Sequence, residues 1–104
     1  LKAPKYRNRK TVVDGVTFDS AAEARRYGEL KLLERAAQIT ALELQPAFRL
    51  VVNNLLICTY KADFTYQDAA NNRIVEDVKG MKTPVYNLKK KLMRAIHGIE
   101  IYET

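Results

Sequence analysis

The sequence predicts one α/β domain, a central mixed sheet flanked by helices. Two stretches, near residues 20–38 and 84–97, repeat apolar residues at helical spacing between clear start and stop signals. Three or four strand-like segments rich in β-branched and aromatic residues lie between them, and an alternating segment, Ile99-Glu100-Ile101-Tyr102, follows the second helix. A chain of 104 residues has room for one hydrophobic core and not for two.

Residues 1–10 read as a basic, flexible arm. Lys2, Lys5, Arg7, Arg9 and Lys10 stand there without an acid, so five of the six net positive charges belong to the arm. The domain spans 11–104. Thr11-Val12-Val13 and Val16-Thr17-Phe18 flank Asp14-Gly15 as a small hairpin. Asp19-Ser20 opens a helix that runs to about Gln38, with Tyr27, Leu30, Leu33 and Ala37 as its apolar stripe. Ile39 to Gln45 is a strand stopped by Pro46; Phe48 to Val52 is the next, closed by a turn at Asn53-Asn54. Leu55 to Tyr66 is the longest strand, Asp68 to Asn72 turns the chain, and Arg73 to Lys79 returns. Thr83 caps the second helix, Pro84 takes its first position, Val85, Leu88, Leu92 and Ile96 form its buried stripe, and Gly98 ends it.

Composition narrows the function classes. There is no apolar run of the roughly 18 residues that a membrane span needs. Leu1 to Lys5 lack the apolar segment of a secretory signal, and the single cysteine, Cys58, suits the core of a protein kept in a reducing cytoplasm. One histidine excludes the usual His-rich metal motifs; His97, near a helix C-terminus, fits a dipole partner better than a catalyst. Neither a phosphate-cradling glycine loop nor a nucleophilic serine elbow is present. A basic arm on a nearly neutral body points to nucleic-acid phosphates.

The residues that carry chemistry are acids and one lysine. In Ile74-Val75-Glu76-Asp77-Val78-Lys79, strand alternation places Asp77 and Lys79 on one face. If Ala69-Ala70-Asn71 is a three-residue hairpin loop, Asp68 faces Asn72 and Asp63 faces Asp77 on the same side of the sheet. Two carboxylates so close repel, and a divalent cation between them reverses the sign of that interaction. Glu76 points the other way, toward a partner such as Arg73 or a helix lysine, unless the strand twists at its end and recruits it to the centre. Glu23 begins the inward stripe of the first helix, yet Ser20-Ala21-Ala22-Glu23 is also a capping box, and both readings stand. Gln45 lies at a strand end near this cluster, in no assigned role.

Phe18-Asp19-Ser20 with Glu23, Ala62-Asp63-Phe64 and Asp77-Val78-Lys79, in this element order, resemble the PD-(D/E)XK nuclease superfamily. The wording Thr-Val-Val-Asp-Gly-Val-Thr-Phe-Asp-Ser, Leu-Glu-Leu-Gln-Pro and Val-Glu-Asp-Val-Lys-Gly is similar to a small phage and prophage family of largely uncharacterised endonuclease-like proteins. The resemblance implies a restriction-endonuclease-like αβββαβ core. It also implies a Mg²⁺-dependent DNA endonuclease, with Mn²⁺ able to substitute, leaving 5′-phosphate and 3′-hydroxyl ends. Asp63, Asp77 and the Val78 carbonyl would ligate the metal, with Glu23 bound directly or through water. Lys79 would orient the attacking water or stabilise the developing charge. A phage recombination or Holliday-junction-resolving role, acting on branched DNA as a homodimer in the host cytoplasm, follows from the same resemblance. Ala62 replaces the superfamily's proline, and Gly80 stands after the lysine, where it would let a phosphate approach the backbone.

Around this centre, Lys5, Arg7, Arg9 and Lys10 of the arm, with Lys82 and Lys89 at the second helix, are the expected DNA contacts. A non-catalytic nucleic-acid-binding protein on the same scaffold is the competing expectation, favoured by the arm and opposed by the intact acid and lysine set. Deleting residues 1–10 is expected to weaken DNA binding and to flatten the plot of log affinity against log salt. An unchanged slope in a binding titration would mean that the arm does not touch phosphate.

Overall fold

The computed structural model describes residues 9–79 and 82–104. Lys5, Arg7 and most of the expected arm lie outside the described residues, as does Gly80. The elements run β1 (Thr11–Val13), β2 (Val16–Phe18), α1 (Ala21–Arg35), β3 (Thr40–Leu44), β4 (Ala47–Val52), β5 (Leu55–Lys61), β6 (Phe64–Gln67), β7 (Arg73–Asp77), α2 (Pro84–His97) and β8 (Tyr102–Glu103). The main sheet has the order β3-β6-β7-β8. Its first three strands are antiparallel, and β8 returns parallel to β7 after the α2 crossover, so the sheet is mixed as expected. No helix among the described residues is long and apolar enough to cross a membrane.

Two apolar layers sandwich this sheet. On one side Ala24, Tyr27 and Leu30 of α1 pack with Phe18, Phe64 and Tyr66. On the other, Met93 of α2 packs with Phe48, Leu50, Tyr60, Val75 and Ile101. Alternation along β7 serves both layers, Ile74 packing with the first and Val75 with the second.

Several expected boundaries move, for local reasons. α1 stops at Arg35, where Ala37 adopts φ 61°, the Ala37 N–H bonds the Glu34 carbonyl and the Gln38 N–H reaches the Leu33 carbonyl. That pattern closes a helix with an αL residue, so Ala37 is exposed rather than part of the stripe. Leu33 is also exposed, and the buried stripe is Ala24, Tyr27 and Leu30. In α2 the buried face is Tyr86 and Met93, seven residues apart, with Leu92 and Ile96 at its margin; Val85 and Leu88 face outward. The last strand is Tyr102–Glu103 rather than 99–102, and the preceding Ile101 is core. Ile39 is core just ahead of β3, in which a bulge at Ala41 (φ 56°) shifts the register.

The largest change concerns the long strand. Leu55 to Tyr66 is two strands, β5 and β6, broken at Ala62-Asp63. The opposing strands break at the same level, at Gln45-Pro46, where Gln45 has φ 52° and Pro46 has no N–H to donate. Backbone bonds still link the two sides there, from the Gln45 N–H to the Asp63 carbonyl and from the Ala62 N–H to the Pro46 carbonyl. The β4–β5 hairpin thereby leaves the main sheet as a separate two-stranded ribbon.

Glu76 ties the layers together. It is fully buried and faces α1, where Arg26 donates through Nε at 2.6 Å and Nη2 at 3.0 Å, the Tyr66 hydroxyl at 2.6 Å and Thr104 Oγ1 at 3.0 Å. Arg26, rather than Arg73 or a lysine, is its partner, and the carboxylate raises the Arg26 pKa further. Every buried side-chain polar atom among the described residues has a partner. Removing one member of such a pair strands a buried charge, so Arg26→Met is expected to cost about 3–5 kcal/mol in urea unfolding. The double variant with Glu76→Gln should recover a large part of it. A single-variant loss within experimental error would remove this pair as the clamp.

Candidate functional site

The site forms at the C-terminal end of β7. Pairing of Phe64 with Glu76, Thr65 with Val75 and Gln67 with Arg73 gives the expected register, and the Asp68 N–H to Asn72 carbonyl bond (3.0 Å) closes the expected three-residue loop. Asn71 takes φ 66° inside that loop, and Asp68 Oδ1 accepts from the Ala70 and Asn72 N–H groups. One step beyond Phe64, the Asp63 N–H donates to the Glu76 carbonyl at 3.1 Å. Asp63 is thus brought to the same side of the sheet as Asp77, near enough for Asp77 to raise its pKa.

Each acid is held by specific donors. The Val78 N–H donates to Asp63 Oδ2 at 2.7 Å. Asp77, almost fully buried, receives Lys79 Nζ on Oδ1 at 3.1 Å and the Tyr60 hydroxyl on Oδ2. Lys79 Nζ also sits 4.2 Å from the centre of the Tyr86 ring, a cation–π seat that restricts the flexible ammonium. The Tyr86 hydroxyl is itself fixed to Glu103 at 2.6 Å.

The electrostatics follow from this crowding. Burial first, then the neighbouring Asp77, pushes the Asp63 pKa up to about 8, against the opposing pull of the Val78 N–H. Burial raises Glu23 as well, followed by Asp19, with Asp77 adding to the rise and Lys79 opposing it. Glu23 therefore shares the field of the centre from its rim. Half of its capping box forms: Ser20 Oγ accepts from the Glu23 N–H at 3.1 Å, while no bond from the Ser20 N–H to the Glu23 carboxylate occurs among the described residues. Burial and the bond to Asp77 raise the Tyr60 phenol, so it remains a proton donor.

Asp63, Asp77, Val78 and Lys79 are brought together, and Glu23 stands near them. Among the described residues no three Asp, Glu, His or Cys side chains are grouped closely enough to form a complete metal cage. The donor chemistry of the two aspartates nonetheless fits a divalent cation, because burial and the neighbouring Asp77 together raise Asp63, and a cation between the two acids would relieve that conflict. Gln45 serves through its backbone, donating to the Asp63 carbonyl at 2.9 Å. His97 instead packs beside Phe48 and bonds the Arg49 carbonyl at 2.9 Å. Lys82 is paired with Glu103 at 3.0 Å and Lys89 lies in a cleft beside Lys79. Arg9 and Lys10 are exposed, Lys10 pairing with Asp19 at 3.3 Å.

Tyr60 and the Arg26–Glu76 pair are not signalled by the sequence; Tyr86, expected on the same flank of the second helix as Lys82 and Lys89, seats Lys79. Tyr60 and Asp63 differ by three, so an unbroken strand would aim them at opposite faces. The break at Ala62-Asp63 makes them converge on Asp77, and Pro46 is its one signal in the sequence.

A family model described as "Protein of unknown function (DUF1064)" matches residues 3–101. No curated protein and no solved structure matches the chain.

Asp63 provides a stability test. Folded, it holds its proton to about 8; unfolded, an aspartate releases it near pH ~3.9. Between those values the folded state binds more protons, so this group's contribution to stability falls as pH rises and then levels off above 8. Urea unfolding of Asp63→Asn from acid to mildly alkaline pH should lack that decline. Parallel pH profiles for the variant and the wild type would show that the fold does not raise Asp63.

Proposed function

The chain belongs to the family described as "Protein of unknown function (DUF1064)", and we propose that it is a divalent-metal-dependent DNA endonuclease. It hydrolyses phosphodiester bonds to 5′-phosphate and 3′-hydroxyl ends. The observation that carries this reading is the meeting of Asp63 and Asp77 at the end of β7, with Lys79 Nζ 3.1 Å from Asp77. A restriction-endonuclease-like core is part of the proposal. The sequence α1, β3, β6, β7, α2, β8, with its four strands adjacent in one mixed sheet, supports it.

In this reading Asp63 and Asp77 hold Mg²⁺ or Mn²⁺, with the Val78 carbonyl next to Asp77 in sequence and Glu23 at the rim. When bound, the cation supplies Lewis acidity toward the phosphate and a lower pKa for water. The chain's own groups do the rest. Tyr60 fixes one oxygen of Asp77 and Lys79 the other, so the carboxylate presents one orientation. Lys79, seated on Tyr86, directs its ammonium at the incoming water or at the charge that gathers on the phosphate oxygens. Water adds to phosphorus, the bond to the 3′ oxygen breaks, and that oxygen leaves as a hydroxyl after taking up a proton. One centre per chain cuts one strand, so a double-strand or branched substrate requires two copies.

Supercoiled and branched DNA titrated with Mg²⁺ or Mn²⁺ tests the reading. Wild type is expected to cut, Asp77→Asn to bind without cutting, and Lys79→Ala to lose on the order of 100-fold or more in rate with binding retained. A Lys79→Ala variant as fast as wild type would remove Lys79 from the chemistry. Binding without cutting under any divalent cation would instead make the protein a nucleic-acid-binding module.

A further inference from the structure

Two clefts meet at Lys79. One, of about 290 Å³, lies between the start of α1 and the end of β7, and Ala22, Arg25, Val78 and Lys79 are among its walls. The other, of about 310 Å³, lies between β5 and the first turns of α2, with Tyr60, Lys61, Lys79, Thr83, Tyr86 and Lys89 in its lining. Lys79 is the wall they share, so the two open on either side of the amine that serves Asp77.

The cations around these clefts fall into two groups. Arg26 is held by Glu76 and Glu29, and Lys82 and Lys90 converge on Glu103 at 3.0 and 3.3 Å. Arg25, Lys61 and Lys89 make no ion pair among the described residues. Arg25 and Lys61 are exposed, and Lys89 is half-buried. Available positive charge thus flanks Lys79 on both sides, while Arg26 is matched by its carboxylates and Lys82 and Lys90 share the one charge of Glu103.

We infer that one strand of DNA crosses the domain through both clefts, over Lys79. Arg25 binds a backbone phosphate on the α1 side, and Lys61 and Lys89 bind phosphates on the α2 side. This rests on the nuclease reading for the position of the central phosphate and adds the path of the strand. Each cleft is at the small end of ligand-pocket volumes, suited to a segment of backbone rather than to a duplex. The aromatic walls, Tyr60 and Tyr86, are buried, so neither ring is available as a platform for base stacking. Recognition along the path is therefore of phosphate, and binding should be strongly salt-dependent and indifferent to sequence.

The test is fluorescence anisotropy of a labelled single-stranded DNA oligonucleotide with Ca²⁺ present, repeated over a range of salt. The slope of log affinity against log salt should fall by roughly 0.7 for each phosphate that is no longer neutralised. Arg25→Gln is expected to lower the slope by one such step and Lys61→Gln with Lys89→Gln by two. Lys91→Gln, at an exposed lysine of α2 outside both clefts, should keep the wild-type slope. Wild-type slopes in the cleft variants, a change confined to one cleft, an equal change in Lys91→Gln, or no binding by wild type would each overturn the path. Cleavage with Mg²⁺ is scored on the same proteins. Altered slopes without any cutting would remove the nuclease reading and keep the path; cutting with unaltered slopes would do the reverse.

Discussion

The register of the β6–β7 hairpin, with Phe64 opposite Glu76, governs both the buried clamp and the acid pair. Side chains alternate across a sheet, so this single register sends Glu76 into the α1 layer and Asp77 into the layer of Tyr60 and Tyr86. A slip of one residue would exchange them. Glu76 would then meet a phenol and a lysine in place of its arginine, and Arg26 would be left without the buried carboxylate that holds it. Because Glu76 is fully buried and receives donors from α1, β6 and Thr104, the register is enforced from three directions.

That enforcement gives the site its character. Closing α1 onto β7 through Arg26 brings Ala22, Glu23 and Arg25, all in the first turns of the helix, to the end of the strand. On the opposite face, Tyr60 and Tyr86 hold Asp77 and Lys79 in fixed positions. The result is a pair of acids that disfavour one another, retained at the edge of a core whose buried side-chain polar groups, among the described residues, are all satisfied. A local conflict in an otherwise consistent structure is the usual mark of a functional site. The nuclease proposal assigns that conflict a use, because charge repulsion between Asp63 and Asp77 becomes attraction for a shared cation.

The order of elements is legible because its signals are local. Asp14-Gly15, Ser20, Thr83-Pro84 and Gly98 mark a turn and helix ends by their own conformational preferences, and they sit where those preferences place them. Helix faces are less legible. In α2 the residues at Val85, Leu88, Leu92 and Ile96 and those at Tyr86 and Met93 both follow helical spacing, and packing against β4 and β5 selects the second set. The end of α1 is hard to read because Ala37, a good helix former, takes the αL position more often given to glycine.

For the site, the convergence of Asp63, Asp77 and Lys79 can be read from the chain alone, since hairpin register and strand alternation depend only on loop length and on the period of a strand. What surrounds them is settled by packing between distant segments. Tyr60 reaches Asp77 because β5 and β6 are separate strands bent at Pro46 and Ala62-Asp63. Glu76 chooses Arg26, fifty residues away in sequence, because α1 crosses that face of the sheet. Lys82 turns to Glu103 while Lys61 and Lys89 remain available, a division set by how α2 and β8 pack together. Local periodicity carries the direction in which a side chain points. The identity of what it meets there depends on remote parts of the chain, and no window of the sequence contains both partners.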